Sequence, residues 1–408
     1  MVAGLVNKNT SKLYFSWQGA KSLLLCILSP NFTDCFATIR YNQRFTVMNT
    51  AILPAADKLL VEEAVTLLKK LIATPSFSRE EADTALLIED FFRANGIPFH
   101  RKKNNVWAFN KYFDPAKPTV LLNSHHDTVK PNASWTLDPF APTVEEGKLI
   151  GLGANDAGGC LVSLMAAFRH FYEKEISCNL VMVASAEEEI SGRDGIELVL
   201  PELPPIDFAI VGEPTGLDLA VSEKGLLVVD CTAHGKSGHA AREEGENALY
   251  KAIDDINWAR SYQFPRVSPT LGPIKISATI IQAGTQHNVI PDTCTFTLDI
   301  RVTDQYALEE VLEILRQNLK SEIKPRSVRL KPSSISMDHP IVKAGLALGR
   351  QAYGSPTTSD QALLSCPSLK MGPGQSERSH TANEFIYLHE IEQGIAQYIG
   401  MLNSVLNP

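Results

Sequence analysis

The sequence predicts an α/β fold: a mostly parallel sheet covered by helices on both faces and interrupted by a smaller inserted α+β unit. Four short, apolar, β-rich runs at residues 106–109, 119–122, 179–185 and 208–211 predict the sheet. Residues 158–172, between the second and third runs, read as a buried helix, which gives strand–helix–strand order and right-handed crossovers. Residues 224–330 change character and predict two helices on an antiparallel sheet. A chain of 408 residues, 44% hydrophobic and 21% charged, is long enough for both units.

In chain order, Leu59, Leu60, Ala64, Leu67, Leu68, Leu71 and Ile72 recur at three- and four-residue spacing, so a helix is expected over about 55–72, with Pro75 just past its end. A second helix is expected from Ser78, where Glu81 three residues on suggests a capping box, to the stop signal Asn95-Gly96. The insert is expected to run strand 226–233, helix 248–260, strands 274–281 and 293–302, helix 306–319 and strand 327–330. The main domain would then comprise two pieces, 48–223 and 331–408, around an insert at 224–330. Residues 1–47 carry one brief apolar stretch, 22–28, with no small-residue cleavage site after it. The expectation is that Met48 is the biological start and that the preceding segment has no place in the fold.

A net charge of −8 and the lack of a basic patch argue against a nucleic-acid surface. No apolar run reaches the 18 or so residues of a membrane helix. Seven widely spaced cysteines without a CxxC pair fit a reducing cytoplasm.

The chemistry-bearing residues lie after the predicted strands. His125 and Asp127 follow the 119–122 run, and period-2 alternation sends both to one side and His126 to the other. An imidazole ligand commonly has a carboxylate behind it, so His125 reads as a ligand and Asp127 as its support; a polar loop after a core strand is the alternative. Asp156 sits at the centre of a glycine-rich loop, 151–159, where a carboxylate favours a cation over a phosphate. It is placed to bridge two metals, or to cap the following helix. Glu187, Glu188 and Glu189 end an apolar strand, and their repulsion calls for cations unless they form a solvated charge run. Glu188 reads as a general base and Glu189 as a ligand. Glu213, fixed by Pro214 after the 208–211 run, and His380, in a loop rich in glycine and hydroxyls, complete the set. Two metals about 3.5–4 Å apart, activating a water for hydrolysis, would use all of these residues.

The joint pattern resembles the M20 metallopeptidases, in particular the acetylornithine deacetylase and succinyl-diaminopimelate desuccinylase branch. The resemblance is carried by Asn-Ser-His125-His-Asp127-Thr-Val, Gly-Ala-Asn-Asp156, Ala-Glu-Glu188-Glu189-x-x-Gly-x-x-Gly, Val-Gly-Glu213-Pro-Thr, Gly-Lys-Ser-Gly-His239, Asn288-Val-Ile-Pro and Met-Gly-Pro-Gly-Gln-Ser-Glu-Arg-Ser-His380, in the family's order. It implies two zinc ions, one held by His125, Asp156 and Glu213 and the other by Asp156, Glu189 and His380. Cobalt or manganese could substitute, since this donor set accepts all three. It further implies Glu188 as base and acid, a homodimer formed through the insert as a lid, and His239 reaching the partner's site; a structural turn residue is the alternative for His239. Asn288 and Arg301 match substrate-binding positions, with a surface ion pair as the alternative for Arg301, and Gly372 and Gly374 would shape the pocket floor. The implied reaction is amide hydrolysis of a small N-acyl amino acid, N-acetyl-L-ornithine first, as in arginine synthesis. N-acetylcitrulline, N-succinylcitrulline, succinyl-diaminopimelate and dipeptides are the rival substrates.

Overall fold

The computed structural model describes residues 57–406 and, within 1–47, only a pair of two-residue strands. The expectation that residues 1–47 stand apart from the fold lies outside the described residues. A nine-stranded mixed sheet organises the larger part. Its four central strands, Ser368–Lys370, Phe208–Val211, Thr119–His125 and Asn179–Ser185, run parallel in that spatial order, and antiparallel strands flank them. Residues on these strands alternate between two cores, as the pleat requires. Val120, Leu122, Leu180 and Met182 join the core under the helices Lys58–Ile72, Ala82–Ala94, Gly159–Tyr172 and Leu388–Leu406, whereas Leu121, Val181 and Val183 face Trp107, Ile196 and Val199.

The first helix starts at Lys58, with the Asp57 side chain accepting from the Leu59 N–H at 3.0 Å. Leu59 itself is half exposed, off the apolar face to which its spacing assigned it. The second helix starts at Ala82, not Ser78, and no capping box forms. The reason is tertiary: the Ser78 hydroxyl donates to Asp127, while buried Glu81 accepts the N–H groups of Arg79 and Glu187 and the Asn104 side-chain amide. The predicted stop holds, because Asn95 caps the helix and Gly96 takes a φ of +65°.

Residues between 225 and 325 build a separate four-stranded antiparallel sheet, ordered Lys275–Ala283, Thr293–Val302, Gly225–His234 and Glu322–Pro325. Helices Ala248–Ser261 and Leu308–Asn318 pack on it through a core of its own that includes Leu227, Val229, Leu298, Val311 and Leu315. The last strand was expected at 327–330 and lies at Glu322–Pro325 instead. On a sheet edge, Glu322 and Lys324 can face solvent, so the strand lacks the apolar run that marks an interior one. The carbonyl of buried Leu330 instead accepts the Leu226 N–H, where the chain leaves this sheet.

Leu164, fully buried on the helix beneath the central strands, tests this packing. Leu164→Ala should cost about 2–5 kcal/mol in chemical denaturation, with the slope of the unfolding transition unchanged.

Candidate metal centre and its relatives

All four central parallel strands deliver site residues at their carboxyl ends, where an open α/β sheet forms its crevice. His125 is the last residue of its strand and pairs in register with Ser185, so Glu188 and Glu189 emerge beside it. Glu213 follows Val211 by two residues, and the loop carrying His380 follows Lys370.

His125 is fully buried, and its Nδ1 lies 3.0 Å from the Asp127 carbonyl oxygen. A carbonyl only accepts, so Nδ1 carries the proton and Nε2 is left to the acids. Nε2 lies 3.4 Å from Asp156, 3.8 Å from Glu213 and 3.9 Å from Glu188, and it has no hydrogen-bond partner. An orphaned buried ring nitrogen facing three carboxylates is what a cation site requires. On the other side of Asp156, His380 Nε2 stands 3.6 Å from Asp156 Oδ2 and 3.0 Å from Glu189 Oε2. Asp156 thus offers one oxygen to each histidine, in keeping with the bridging expectation. It caps no helix: Gly158 precedes the helix Gly159–Tyr172, and no side chain caps it. Two donor groups satisfy the spacing of a metal site, His125–Asp156–Glu189 and His125–Glu188–Glu213. His126 points away, with Nδ1 2.9 Å from the Thr84 hydroxyl and Nε2 2.9 Å from the Asn104 carbonyl, as a satisfied core histidine. Glu187 also turns away, toward Arg79 at 3.9 Å.

Electrostatics records the crowding. Burial pushes Glu213 up to about 8, with Asp156 adding to the shift and His125 opposing it, and burial also raises Glu188 and Glu189. Contact with Glu189 lifts His380 to about 9. Burial resists the charge on His125, but Asp127, Asp156, Glu188 and Glu213 outweigh it and drive the ring well above its ordinary range.

A further role of Asp127 and three residues missed in the sequence reading, Asp360, Lys370 and Glu384, organise the site. Asp127 Oδ1 accepts the Glu188 N–H at 3.0 Å and Oδ2 accepts the Glu189 N–H at 3.1 Å, so Asp127 does more than stand behind His125. Buried Asp360 accepts from Asn123 and Ser185, each at 2.7 Å, and holds the two strand ends together. Buried Lys370 pairs with Glu223 at 2.9 Å on the cavity wall. Glu384, four residues after His380, is buried against the Asp156 loop. Their partners lie far away in sequence, and only the four-residue offset of Glu384 from His380 was a local signal.

The acids open into a cavity of about 620 Å³ that also presents Tyr353, Thr357, Thr358 and Glu377. Gly374 takes a φ of +85°, where a Cβ would collide with Asn155 Oδ1; a Cβ on Gly372 would meet the Glu213 carbonyl at 2.7 Å. Neither glycine lines the cavity. His239, Asn288 and Arg301 do not line it either. His239 is exposed on a two-residue strand, Gly238–His239, paired with Val289–Ile290, and Ala240 N–H donates to the Asn288 carbonyl at 3.0 Å. Arg301 donates to both oxygens of Asp299, at 2.8 and 3.1 Å, which is the ion-pair alternative, and reaches the cavity wall only through Thr358 at 3.3 Å.

The sequence profile of peptidase family M20/M25/M40 matches residues 121–404. The chain belongs to this family. It is an M20 amidohydrolase, and among the described residues no helix is long and apolar enough to cross a membrane. It is 30% identical over 365 residues to acetylornithine deacetylase of Proteus mirabilis, covering 80% of this chain and 93% of that one. It is 25% identical over 378 residues to succinyl-diaminopimelate desuccinylase of Wolbachia pipientis, covering 85% and 94%. Among solved structures, a tripeptidase of Staphylococcus aureus shares the fold at a TM-score of 0.69 and 19% identity, covering 85% of this chain and 98% of that one. The Bacillus subtilis YXEP protein, a dinuclear metal-binding peptidase from the M20 family, does so at 0.65 and 19%, covering 86% and 99%.

The raised groups fix a pH dependence. Glu213, ordinarily near 4.5 and here about 8, and His380, ordinarily near 6.5 and here about 9, both bind protons more tightly in the folded state. Metal-free protein should therefore lose stability as pH rises from about 4.5, where Glu213 begins to contribute, to about 9, where His380 has lost its proton. Metal-loaded protein should gain over that window, because cations displace those protons. Thermal melts of chelator-treated and metal-loaded samples at several pH values check the opposite slopes.

Proposed function

We propose that this M20 amidohydrolase is a zinc-dependent deacylase of an N-acyl amino acid, with N-acetyl-L-ornithine as its substrate, yielding L-ornithine and acetate. The observation that carries the metal chemistry is the buried, unpartnered Nε2 of His125 among Asp156, Glu188 and Glu213. The substrate reading is supported by the 30% identity to a protein named acetylornithine deacetylase, and it would place the chain in arginine synthesis in the cytoplasm. The relative named succinyl-diaminopimelate desuccinylase keeps N-succinyl substrates as the second reading.

His125, Asp156 and Glu213 would hold one cation and Asp156, Glu189 and His380 the other, with cobalt or manganese able to replace zinc. Two such cations would polarise the amide carbonyl and lower the pKa of the attacking water. Glu188 takes a proton from that water as its oxygen bonds to the carbonyl carbon, then delivers the proton to the nitrogen as the C–N bond breaks. Burial holds Glu188 well above the ordinary carboxylate range in the metal-free site. Asp127 fixes the proton on His125 Nδ1 and, by accepting the Glu188 and Glu189 N–H groups, aims those two carboxylates.

His239 and Asn288 would act across a homodimer formed by the 224–330 insert, His239 stabilising the tetrahedral oxyanion in the partner's site. His239 on its short ladder and Asn288 beside it are exposed, as are Ile280 and Ile281 on the edge strand of the separate four-stranded sheet, and this supports the reading. Arg301 as a substrate-carboxylate grip would require it to leave Asp299.

Glu188→Gln should keep two equivalents of metal by elemental analysis while kcat falls about 10²–10⁴-fold. Loss of metal would make Glu188 a ligand instead, as its 3.9 Å distance from His125 allows. Asp156→Ala should lose metal outright. A panel of acetyl- and succinyl-amino acids decides the substrate, and turnover of none would overturn the deacylase reading. Mixing inactive Glu188→Gln and His239→Ala proteins should restore activity through hybrid dimers, and two sites complete within one subunit would show no recovery.

A further inference from the structure

Asp156 must present one oxygen to each histidine, yet the loop that carries it has little structure of its own. Residues Ala154–Gly158 make a single irregular turn, with Asp156 at φ −117° and ψ 101°. Backbone N–H groups in so buried a turn need acceptors. The Ala154 N–H donates to the Gly151 carbonyl and the Gly158 N–H to the Gly153 carbonyl. Two more, and the N–H of Gly153 just before the turn, end on a single side chain: Glu384 Oε1 accepts from Asn155 at 2.8 Å and from Asp156 at 2.9 Å, and Oε2 accepts from Gly153 at 3.2 Å. Glu384 is 2% exposed and has no other use in the site.

Its delivery is equally constrained. The Gly151 N–H donates to the Glu384 carbonyl at 3.0 Å, and the next residue, Phe385, pairs with Ile150, so one ladder brings backbone and carboxylate to the loop together. Four residues earlier the same segment carries His380. One stretch of chain therefore supplies both an imidazole to the site and the clamp on the carboxylate that imidazole faces at 3.6 Å. A carboxylate can accept on both oxygens, as the three N–H contacts show, whereas a side-chain amide would turn an N–H toward Gly153 or toward Asn155 and Asp156.

We infer that Glu384 is the positioning residue of the dinuclear centre, setting the spacing between Asp156 and His380 and hence the joint binding of two cations. The inference rests on the two-metal reading of Asp156. Partners in this position are worth about 10–100-fold in metal affinity.

The test is a Co²⁺ titration of metal-free protein, read by visible absorption and calorimetry, with folding followed by far-ultraviolet circular dichroism. Metal-free Glu384→Gln should keep the unsubstituted protein's spectrum, while its affinity for the second Co²⁺ falls about 10–100-fold; Glu384→Asp, which keeps the charge, should lie between the two. At saturating metal, kcat should fall with KM unchanged, because Glu384 is absent from the cavity wall. Unsubstituted affinities in Glu384→Gln overturn the inference, as does lost stability with unchanged metal binding. If the glutamine protein does not fold, Glu384→Asp carries the same comparison. Failure of the unsubstituted protein to take up Co²⁺ would overturn the two-metal reading and the clamp with it, whereas uptake unaffected by the substitutions overturns the clamp alone.

Discussion

Like charge held in a small buried volume governs this molecule. Asp156, Glu188, Glu189 and Glu213 converge within a few ångströms of His125 and His380. Moving ionised carboxylates out of water is costly, and each one raises the pKa of its neighbours. Without cations the cluster retains protons instead, which is the meaning of Glu213 near 8 and His380 near 9. The sheet distributes the load by bringing each group in on a different strand end or loop. In-register pairing of His125 with Ser185, and of Val211 with Lys370, aligns those ends at one level.

Around that cluster a second set of acids accepts hydrogen bonds from backbone and side-chain donors. Asp127 takes two N–H groups, Glu81 takes two and Asp360 ties two strand ends through Asn123 and Ser185. A carboxylate with several N–H donors is a stiff anchor, because charge-assisted hydrogen bonds are short and strong. Rigid support of this kind allows a site to keep its geometry when its cations leave.

This division explains which features were legible in the sequence. Three of the four central strands announced themselves as apolar runs, with candidate donors just beyond each; the fourth, Ser368–Lys370, is too short to give such a run, and the predicted run at 106–109 is an antiparallel strand flanking the four. Alternation correctly separated His125 from His126. The anchors were hidden because their partners lie far away in sequence: nothing near Glu384 marks Gly153, and nothing near Ser78 marks Asp127. Ser78 and Glu81 even imitated a local capping box, a pattern that a tertiary bond to Asp127 overrode. The edge strand Glu322–Pro325 was missed for the complementary reason, since a solvent-facing edge carries charge where an interior strand carries apolar side chains.

Adjacent residues with different tasks pose the remaining geometric problem, and the Glu187–Ser191 turn solves it. Glu188 and Glu189 both face the cavity while Glu187 faces away, which a continuing strand or a long helix could not arrange for three consecutive residues. The chain achieves it with one short turn, Glu188–Ile190, bounded by two non-glycine residues in left-handed conformation, Glu187 at φ +56° and Ser191 at φ +47°. Such residues cost about 1–3 kcal/mol each and persist only where the surroundings over-determine them. Asp127 supplies that determination by accepting the N–H groups of both Glu188 and Glu189, and it is itself tied to Ser78 and to His125. The same residue thus couples the tautomer of the central imidazole, through its carbonyl, to the aim of the two glutamates, through its carboxylate, so those elements of the centre stand or fall together.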